Sequence, residues 1–246
     1  MMESWLLAIQ FLTRLPVPSS AGEANKEVQG ASVLFYPLVG LLIGLLLLLL
    51  YTLIDDSAPA LQAALILGLW VALTGALHLD GLADLADAWI GGQGERERTL
   101  DIMKDTHCGP IAVTALILLL LIKFAALEVI LEKELWSALL LVPMLGRAGL
   151  VASLLTMPYL RADGLGAVLS ANLPAEMGRN VVIVSALTTL LFLGWSALLL
   201  IVALAVVYML LHQALMKRLG GVTGDAAGAV CEILEAVALV ALALMI

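Results

Sequence analysis

Long apolar runs constrain this chain more than any other feature of its sequence. Of its 246 residues, 63% are hydrophobic and only 13% are charged, whereas a soluble domain carries roughly a quarter of its residues as charged side chains. Several of the apolar runs are near or above the ~20 residues that a helix needs to cross a bilayer. The sequence therefore predicts an all-α, polytopic integral membrane helical bundle whose surroundings are the lipid bilayer.

The runs predict about seven transmembrane helices after a short interfacial N-terminal helix. That amphipathic helix covers residues 4–18, and two prolines stop it. The predicted spans are residues 31–54, 58–79, 110–131, 135–157, two short spans within 181–211, and 226–246. The apolar run at 181–211 is too long for one upright span and short for two. Gly194 is the predicted break between two spans.

The distribution of basic residues supports two spans within 181–211. With two spans, four loops fall on one side of the membrane: residues 12–30, 80–109, 158–180 and 212–225. That side holds nine of the twelve Lys and Arg residues, and the opposite side keeps only Lys133. The positive-inside rule makes the nine-residue side cytoplasmic. The prediction is a single membrane-embedded catalytic domain over residues 1–246, and its scattered basic residues form no face for nucleic acid.

The most polar stretch, residues 78–110, gathers five aspartates between two apolar segments. Asp80, Asp84 and Asp87 are spaced i, i+4, i+7, which places three carboxylates on one helical stripe, within about 60° of one another. Asp101 and Asp105 repeat the i, i+4 spacing beyond a GGQG turn. Two such helices facing each other would form a cage of carboxylates. The alternative is a solvated loop that stops translocation, but the repeated periodicity favours the cage.

A cage of this kind predicts a metal site and a class of reaction. Like charges at i, i+4 repel, so the aspartates need cations to neutralise them. Hard oxygen ligands without a Cys₂His₂-type set nearby favour Mg²⁺ or Mn²⁺ over zinc. Because Mg²⁺ held by a few carboxylates usually also takes phosphate oxygens from a substrate, the expected chemistry is phosphoryl or nucleotidyl transfer.

Other polar residues near or within the apolar segments each have two interpretations. Arg147, in mid-span, is equally well explained as a phosphate clamp or as one partner of a structural pair. Lys123 is expected to be structural, either reaching to the interface or pairing with Glu128. His107 is an acid–base group or a polar loop residue, and His78 is expected to be structural.

The segment GGVTGDAAGAVCEILEA, residues 220–236, is a glycine-rich turn followed by a helix. Such a turn can hold phosphate through backbone N–H groups, although glycines at the entrance of a span also serve packing. Glu232 lies one to two turns into an otherwise apolar span, where a carboxylate is costly and usually functional.

Six segments resemble the cobalamin synthase family, the adenosylcobinamide-GDP ribazoletransferases, and they occur in the family's order. They are FLTRLPVP (11–18), FYPLVGLLIG (35–44), HLDGLADLADAW (78–89), IMKDTHCGP (102–110), YLRADGLGA (159–167) and GGVTGDAAGAVCE (220–232). The resemblance implies a Mg²⁺-dependent enzyme of the bacterial inner membrane with its site facing the cytoplasm. It also implies two substrates, adenosylcobinamide-GDP and α-ribazole or its 5′-phosphate, with release of GMP.

The resemblance implies a role for each candidate residue. One or two Mg²⁺ ions are expected on Asp80, Asp84, Asp87, Asp101 and Asp105. Asp105 is the favoured general base, and the other catalytic candidates are His107 and Asp84. Substrate or phosphate contacts are expected from Lys104, Arg147, Arg161, Asp225 and Glu232. A homo-oligomer is compatible with the sequence.

Two rival functions compete with this interpretation. DGLAD…D also resembles a variant of the D-G-x-x-A-R pattern of CDP-alcohol phosphotransferases, but Asp84 replaces the arginine and the downstream spacing differs. A membrane transporter would use Arg147, Lys123 and Glu232 to line an ion path. Transporters usually show internal repeats and several broken helices, whereas the polar residues here cluster at one face of the membrane.

Overall fold

The helices of this protein are seen in a computed structural model that describes residues 1–18, 24–105, 107–162 and 164–246. Within those ranges the chain is helical, and its β-structure is limited to an isolated bridge between Tyr159 and Val222. The helices are α1 (Met2–Leu12), α2 (Lys26–Ser32), α3 (Tyr36–Leu53), α4 (Pro59–Thr74), α5 (Leu77–Gly91), α6 (Arg96–Ile102), α7 (Pro110–Glu132), α8 (Ser137–Thr156), α9 (Leu165–Ala171), α10 (Ala175–Leu193), α11 (Ser196–Arg218) and α12 (Gly224–Met245). A 3₁₀ turn at Val33–Phe35 joins α2 to α3.

The prediction of a polytopic helical bundle with about seven spans is confirmed. Among the described residues, six segments are long and apolar enough to cross a membrane: Lys26–Leu53, α7, α8, α10, α11 and α12. The pair α4 and α5 forms a seventh segment that bends by 88°. The run at 181–211 contributes to two helices, α10 and α11, which separate at Gly194, where φ is +58°.

The predicted span at 58–79 is not one straight helix, and this bend positions the acidic residues. Gly75 and Ala76 both have left-handed backbone, with φ of 61° and 58°. Glycine adopts this conformation readily and alanine at a cost, so α4 ends at Thr74 and α5 starts in a new direction. The aspartates of α5 therefore lie on a helix turned nearly at right angles to α4.

The polar segment predicted as part of a loop at 12–30 is helical from Lys26 onward. The Oδ1 atom of Asn25 accepts the backbone N–H of Val28 at 2.8 Å, which is how an N-cap residue starts a helix. Residues 19–23 of the predicted loop lie outside the described residues. The interfacial helix ends at Leu12, before its two prolines, where Thr13 becomes extended.

Helix α8 occupies the centre of the bundle, where almost all of its residues are buried. Helix α3 packs against it through Gly40 and Gly44, spaced four apart. A Cβ atom at Gly40 would overlap the backbone of Pro143, and one at Gly44 would overlap the backbone of Leu139. Small residues allow this close approach of two helices inside a membrane.

A neutral group of four charged side chains joins α7, α8 and α12 inside the bundle. The Nζ atom of Lys123 lies 2.5 Å from Glu232 and 2.6 Å from Glu235, and Arg147 also pairs with Glu235. All four are buried. Two cations and two carboxylates cancel, which removes the net charge that a bilayer interior penalises. Arg147 thus has Glu235 as its ion-pair partner, and Lys123 pairs with α12 rather than with Glu128 or the interface.

Loops from distant parts of the chain are tied together at one end of the bundle. Arg161 donates a hydrogen bond to the carbonyl of Met103 at 3.0 Å, and Arg96 donates to the carbonyl of Leu219 at 2.5 Å. These bonds bring the segments before α7, after α8 and before α12 side by side. This grouping agrees with the predicted placement of three polar loops on one side of the membrane.

Candidate functional site

Helix α5 presents an acidic face and an apolar face. Asp80, Asp84 and Asp87 lie on its acidic stripe, and Leu82, Leu85 and Trp89 line an apolar cavity of about 310 Å³ toward α11 and α12. Between the two faces, a Cβ atom at Gly81 would lie 2.6 Å from the backbone of Asp225. The first turns of α5 and α12 therefore pack in close contact, and Asp225 joins the acidic stripe.

Asp80, Asp84 and Asp225 form a cluster that we call the carboxylate centre. Asp84 lies within electrostatic reach of both other carboxylates and of the Arg161 guanidinium. Arg161 forms an ion pair with Asp225 at 2.7 Å. One guanidinium against three carboxylates leaves an excess of negative charge, so the centre favours a cation.

The carboxylate centre borders a polar cleft of about 240 Å³, lined by Asp84, Asp87, Asp105 and His107. Within it, Asp105 Oδ1 lies 2.5 Å from His107 Nδ1 and accepts the His107 backbone N–H at 3.1 Å. The side-chain hydrogen bond raises the pKa of His107 and lowers the pKa of Asp105. An imidazole held by a carboxylate is an arrangement suited to accepting a proton from a hydroxyl group.

Asp87 lies within electrostatic reach of Asp84, but both of its carboxylate oxygens are hydrogen-bonded to backbone. Its two carboxylate oxygens accept the N–H groups of Gly109 at 2.5 Å and Ala112 at 2.9 Å. These groups belong to the start of α7, where backbone donors lack partners within the helix and the helix dipole favours a negative charge. Asp87 therefore fixes the loop before α7 against α5.

The five aspartates of the predicted cage are not gathered in one place. Asp101 pairs with Lys104 at 3.0 Å, and both side chains point into solvent, 73% and 65% exposed. Helix α6 ends at Ile102, so Asp105 does not continue the stripe that Asp101 begins. Across the described ranges, no three His, Cys, Asp or Glu side chains are arranged around one metal position.

The remaining predicted substrate contacts divide between two places. Arg161 and Asp225 lie at the carboxylate centre. Arg147 and Glu232 lie in the buried neutral group, where their charges are neutralised by other side chains. Neither Arg147 nor Glu232 therefore offers an unneutralised charge to the acidic stripe of α5. Lys104 lies at the surface beside Asp101.

The carboxylate centre has fewer aspartates than the predicted cage, but its oxygen ligands are of the number and type that Mg²⁺ binds. Magnesium in phosphate-transferring sites is usually held by one or two carboxylates together with substrate phosphates and water. Asp80 and Asp84, one turn apart on α5, supply that number of hard oxygen ligands, and Asp225 lies near them. The donor set is all oxygen, which is the set that Mg²⁺ prefers.

On its other side the carboxylate centre borders a larger space, which we call the mixed cavity. It has a volume of about 300 Å³, and Asp80, Arg161 and Asp225 lie at its polar part. The rest is lined mainly by apolar and aromatic side chains, among them Phe11 and Tyr36. These two aromatic residues carry no charge or spacing pattern that marks them in the sequence, although both lie in segments that resemble the cobalamin synthase family.

A family model and several known proteins match this chain over nearly its whole length. The family model described as cobalamin-5-phosphate synthase matches residues 4–243. Three similar proteins are each named adenosylcobinamide-GDP ribazoletransferase. The one from Stutzerimonas stutzeri is 51% identical over 98% of both chains, that from Ectopseudomonas mendocina 52% over 97% of both, and that from Pseudomonas putida 51% over 99% of both. No solved structure matches the chain significantly.

Proposed function

The chain belongs to the cobalamin-5-phosphate synthase family, and we propose that it is an adenosylcobinamide-GDP ribazoletransferase. The ribose 3′-hydroxyl of α-ribazole, or of its 5′-phosphate, attacks the phosphorus attached to the cobinamide side chain. A new P–O bond to the ribose forms as the bond to the GMP oxygen breaks, and the hydroxyl proton goes to a base. The products are adenosylcobalamin, or its 5′-phosphate, and GMP, so this reaction completes the nucleotide loop.

One structural observation carries the assignment to this site. Asp84 of α5 lies within electrostatic reach of Asp80, of Asp225 from α12 and of Arg161 from the loop after α8, and Arg161 pairs with Asp225. A diphosphate with a divalent cation needs both kinds of charge, because the cation needs carboxylates and the remaining phosphate oxygens need a donor. Arg161 offers a guanidinium for those oxygens.

Asp80 and Asp84 would hold Mg²⁺, with Asp225 beside them. When bound there, Mg²⁺ supplies neutralisation of the charge that develops on the phosphate and on departing GMP. The carboxylates of α5 fix where that positive charge lies, and Arg161 orients the diphosphate from the opposite element. The site must restrict the access of water, because hydrolysis of the activated substrate would compete with transfer to the ribose hydroxyl.

His107 is the best-placed base, with Asp105 as its positioning partner. The sequence alone favoured Asp105, but the 2.5 Å contact joins the carboxylate to Nδ1 of the ring. This leaves Nε2 of His107 to take the proton from the ribose hydroxyl. Asp105 then stabilises the imidazolium that forms, as a carboxylate does beside a catalytic histidine.

The site faces the cytoplasm of a bacterial inner membrane in this proposal. Nine of the twelve basic residues fall on the side of the loops that build the site, and positive residues mark the cytoplasmic side. Residues 1–246 act as one membrane-embedded catalytic domain. Transport across the membrane is disfavoured because Lys123 and Arg147 are neutralised by Glu232 and Glu235 in the bundle interior.

The decisive experiment supplies the purified protein in lipid nanodiscs with adenosylcobinamide-GDP, α-ribazole and Mg²⁺. Chromatography is expected to detect complete corrinoid and GMP in equal amounts. Omitting α-ribazole should stop GMP release, which excludes simple hydrolysis. Release of CMP from CDP-diacylglycerol with an alcohol acceptor, and no GMP from the corrinoid substrate, would overturn the proposal in favour of a CDP-alcohol phosphotransferase.

A further inference from the structure

The mixed cavity has the size of a nucleoside rather than of a corrinoid. Its volume of about 300 Å³ is at the lower end of small-molecule pockets. A corrin ring with its amide side chains is several times larger and cannot enter. Of the two substrates of the proposed reaction, only α-ribazole, or the guanosine part of the other substrate, fits this space.

The lining of the mixed cavity separates these two candidates. Its buried apolar lining includes Tyr36, Leu150 and Leu169, and Phe11, which is 39% exposed, adds to the wall. Guanine carries donors and acceptors around its edges, and burying them without partners costs binding energy. The base of α-ribazole, dimethylbenzimidazole, has two methyl groups, no N–H group and one free ring nitrogen. It needs apolar surface and a single donor.

The aromatic wall suits a flat base. Phe11 of α1 and Tyr36 of α3 stack with ring centroids 6.1 Å apart and planes inclined by 21°. Aromatic faces of this kind bind flat ring systems by stacking and by burial of apolar area. Helix α1, which the sequence assigned only to the membrane interface, thereby supplies one wall of the cavity.

A buried donor lies in the same wall. His78 lines the mixed cavity, is 4% exposed, and its Nδ1 atom has no hydrogen-bond partner among the residues that the structure describes. A buried ring nitrogen without a partner is costly unless a ligand or water satisfies it. As the N–H tautomer, this atom is suited to donate to the free ring nitrogen of dimethylbenzimidazole.

We propose that the mixed cavity is the binding site for the base of α-ribazole, with the ribose directed toward Asp80 and Asp225. This inference rests on the proposed function, because it assigns one of that reaction's substrates to a place. The base occupies the aromatic part of the cavity, and the ribose hydroxyl reaches the carboxylate centre at its polar part. The corrinoid and the guanosine then approach from outside the cavity.

The test uses two variants that change the cavity without touching the carboxylate centre. Phe11→Ala removes half of the aromatic pair, and Leu165→Trp fills the cavity from a side chain that is 51% exposed and so tolerates enlargement. Leu199→Ala is the matched control, because Leu199 of α11 is 65% exposed. Each protein is studied in nanodiscs, by equilibrium dialysis with α-ribazole and by steady-state kinetics with both substrates.

Both cavity variants are expected to weaken α-ribazole binding and raise its KM by about ten-fold or more, the size of effect that one stacked base contributes. The KM for adenosylcobinamide-GDP and all constants of Leu199→Ala should stay unchanged. Free dimethylbenzimidazole should compete with α-ribazole, and guanosine should not.

Two outcomes would overturn the site assignment. One is an unchanged KM for α-ribazole in both variants, and the other is displacement of α-ribazole by guanosine. Both leave the proposed function standing if the unmodified protein still releases GMP with α-ribazole. The absence of any GMP release from the unmodified protein would instead remove the proposed function, whatever the variants bind.

Discussion

The carboxylate of Asp87 accepts the backbone N–H of Gly109 at 2.5 Å, across 22 positions of the chain. The same side chain also accepts Ala112 N–H. This contact links the acidic helix to the start of a membrane span, and it sets the position of the short loop that carries Asp105 and His107. A residue that the sequence grouped with metal ligands therefore has a positioning role.

Asp87→Ala is expected to lower the free energy of unfolding by about 1 kcal/mol, the usual loss when a helix N-terminus loses its cap. It should also lower kcat, because the loop that holds His107 loses its attachment to α5. Thermal unfolding in detergent and steady-state kinetics measure the two effects. Asp101→Ala, which removes an exposed carboxylate, is the control, and equal unfolding curves for both variants would contradict the capping role.

Asp84→Asn is expected to reduce Mg²⁺-dependent product formation by about 100-fold or more, because electrostatic stabilisation of the transition state is lost with the charge. Asp101→Asn should retain nearly full activity, since Asp101 faces solvent beside Lys104. Both proteins should reach the membrane in normal amounts. Similar losses of activity in the two variants would restore the idea of a single large aspartate cage.

The acid limb of the pH–rate profile should follow His107. Asp105 raises the pKa of His107 through a hydrogen bond, so the imidazolium persists to higher pH than in a free histidine. Only neutral His107 can accept a proton, and kcat therefore falls as pH drops through that raised pKa. Asp105→Asn removes the partner, and the limb should move to lower pH.

An NMR titration of the His107 ring checks the same relationship independently of turnover. Its midpoint in the unmodified protein should lie above the ordinary histidine value of 6.5, and Asp105→Asn should return it toward that value. An identical midpoint in both proteins would show that the pair does not form in the membrane-embedded enzyme.

Lys123→Met is expected to destabilise the fold by about 3–5 kcal/mol, because it leaves an unpaired buried carboxylate. Adding Glu232→Gln removes that excess charge, leaves Arg147 with Glu235, and should recover a large part of the loss. Unfolding in detergent measures both changes. In the double variant the KM for adenosylcobinamide-GDP should equal that of the unmodified protein, and a large rise would return Glu232 to the substrate site.

Gly40→Val is expected to abolish the stable fold, since the added atoms would overlap the backbone of α8 at Pro143 and overpacking of a tight contact is costly. Gly68→Val is the control, because a Cβ atom at Gly68 would have no neighbour within 4 Å in the described part of the chain. The yield of monodisperse protein after detergent extraction distinguishes them. Equal yields would show that α3 and α8 can separate.

Local periodicity predicted the elements of this protein well and their long-range contacts poorly. The spans, the break at Gly194 and the acidic stripe of α5 follow from patterns within about twenty residues. The right-angle bend at Gly75 and Ala76 was missed, because an alanine with left-handed backbone carries no pattern of its own. The pairing of Lys123 with Glu232 joins residues 109 positions apart, which periodicity cannot reach.

Local spacing likewise predicted only those parts of the site that lie on one helix. Asp80 and Asp84 share one helix, so their proximity follows from spacing alone. The extension to Asp101 and Asp105 assumed a helix that continues past Ile102, whereas α6 has only seven residues. Arg161 and Asp225 reach the centre through tertiary packing, which residue spacing does not predict. The resemblance to a family indicated them instead.

The neutral group inside the bundle also bears on how the protein is made. The ribosome produces α7 and α8 before α12, so Lys123 and Arg147 emerge before Glu232 and Glu235 have been translated. A nascent chain released early would place two unmatched cations in the lipid. The last helix to be made, α12, therefore supplies both the carboxylates that neutralise these cations and Asp225 of the carboxylate centre.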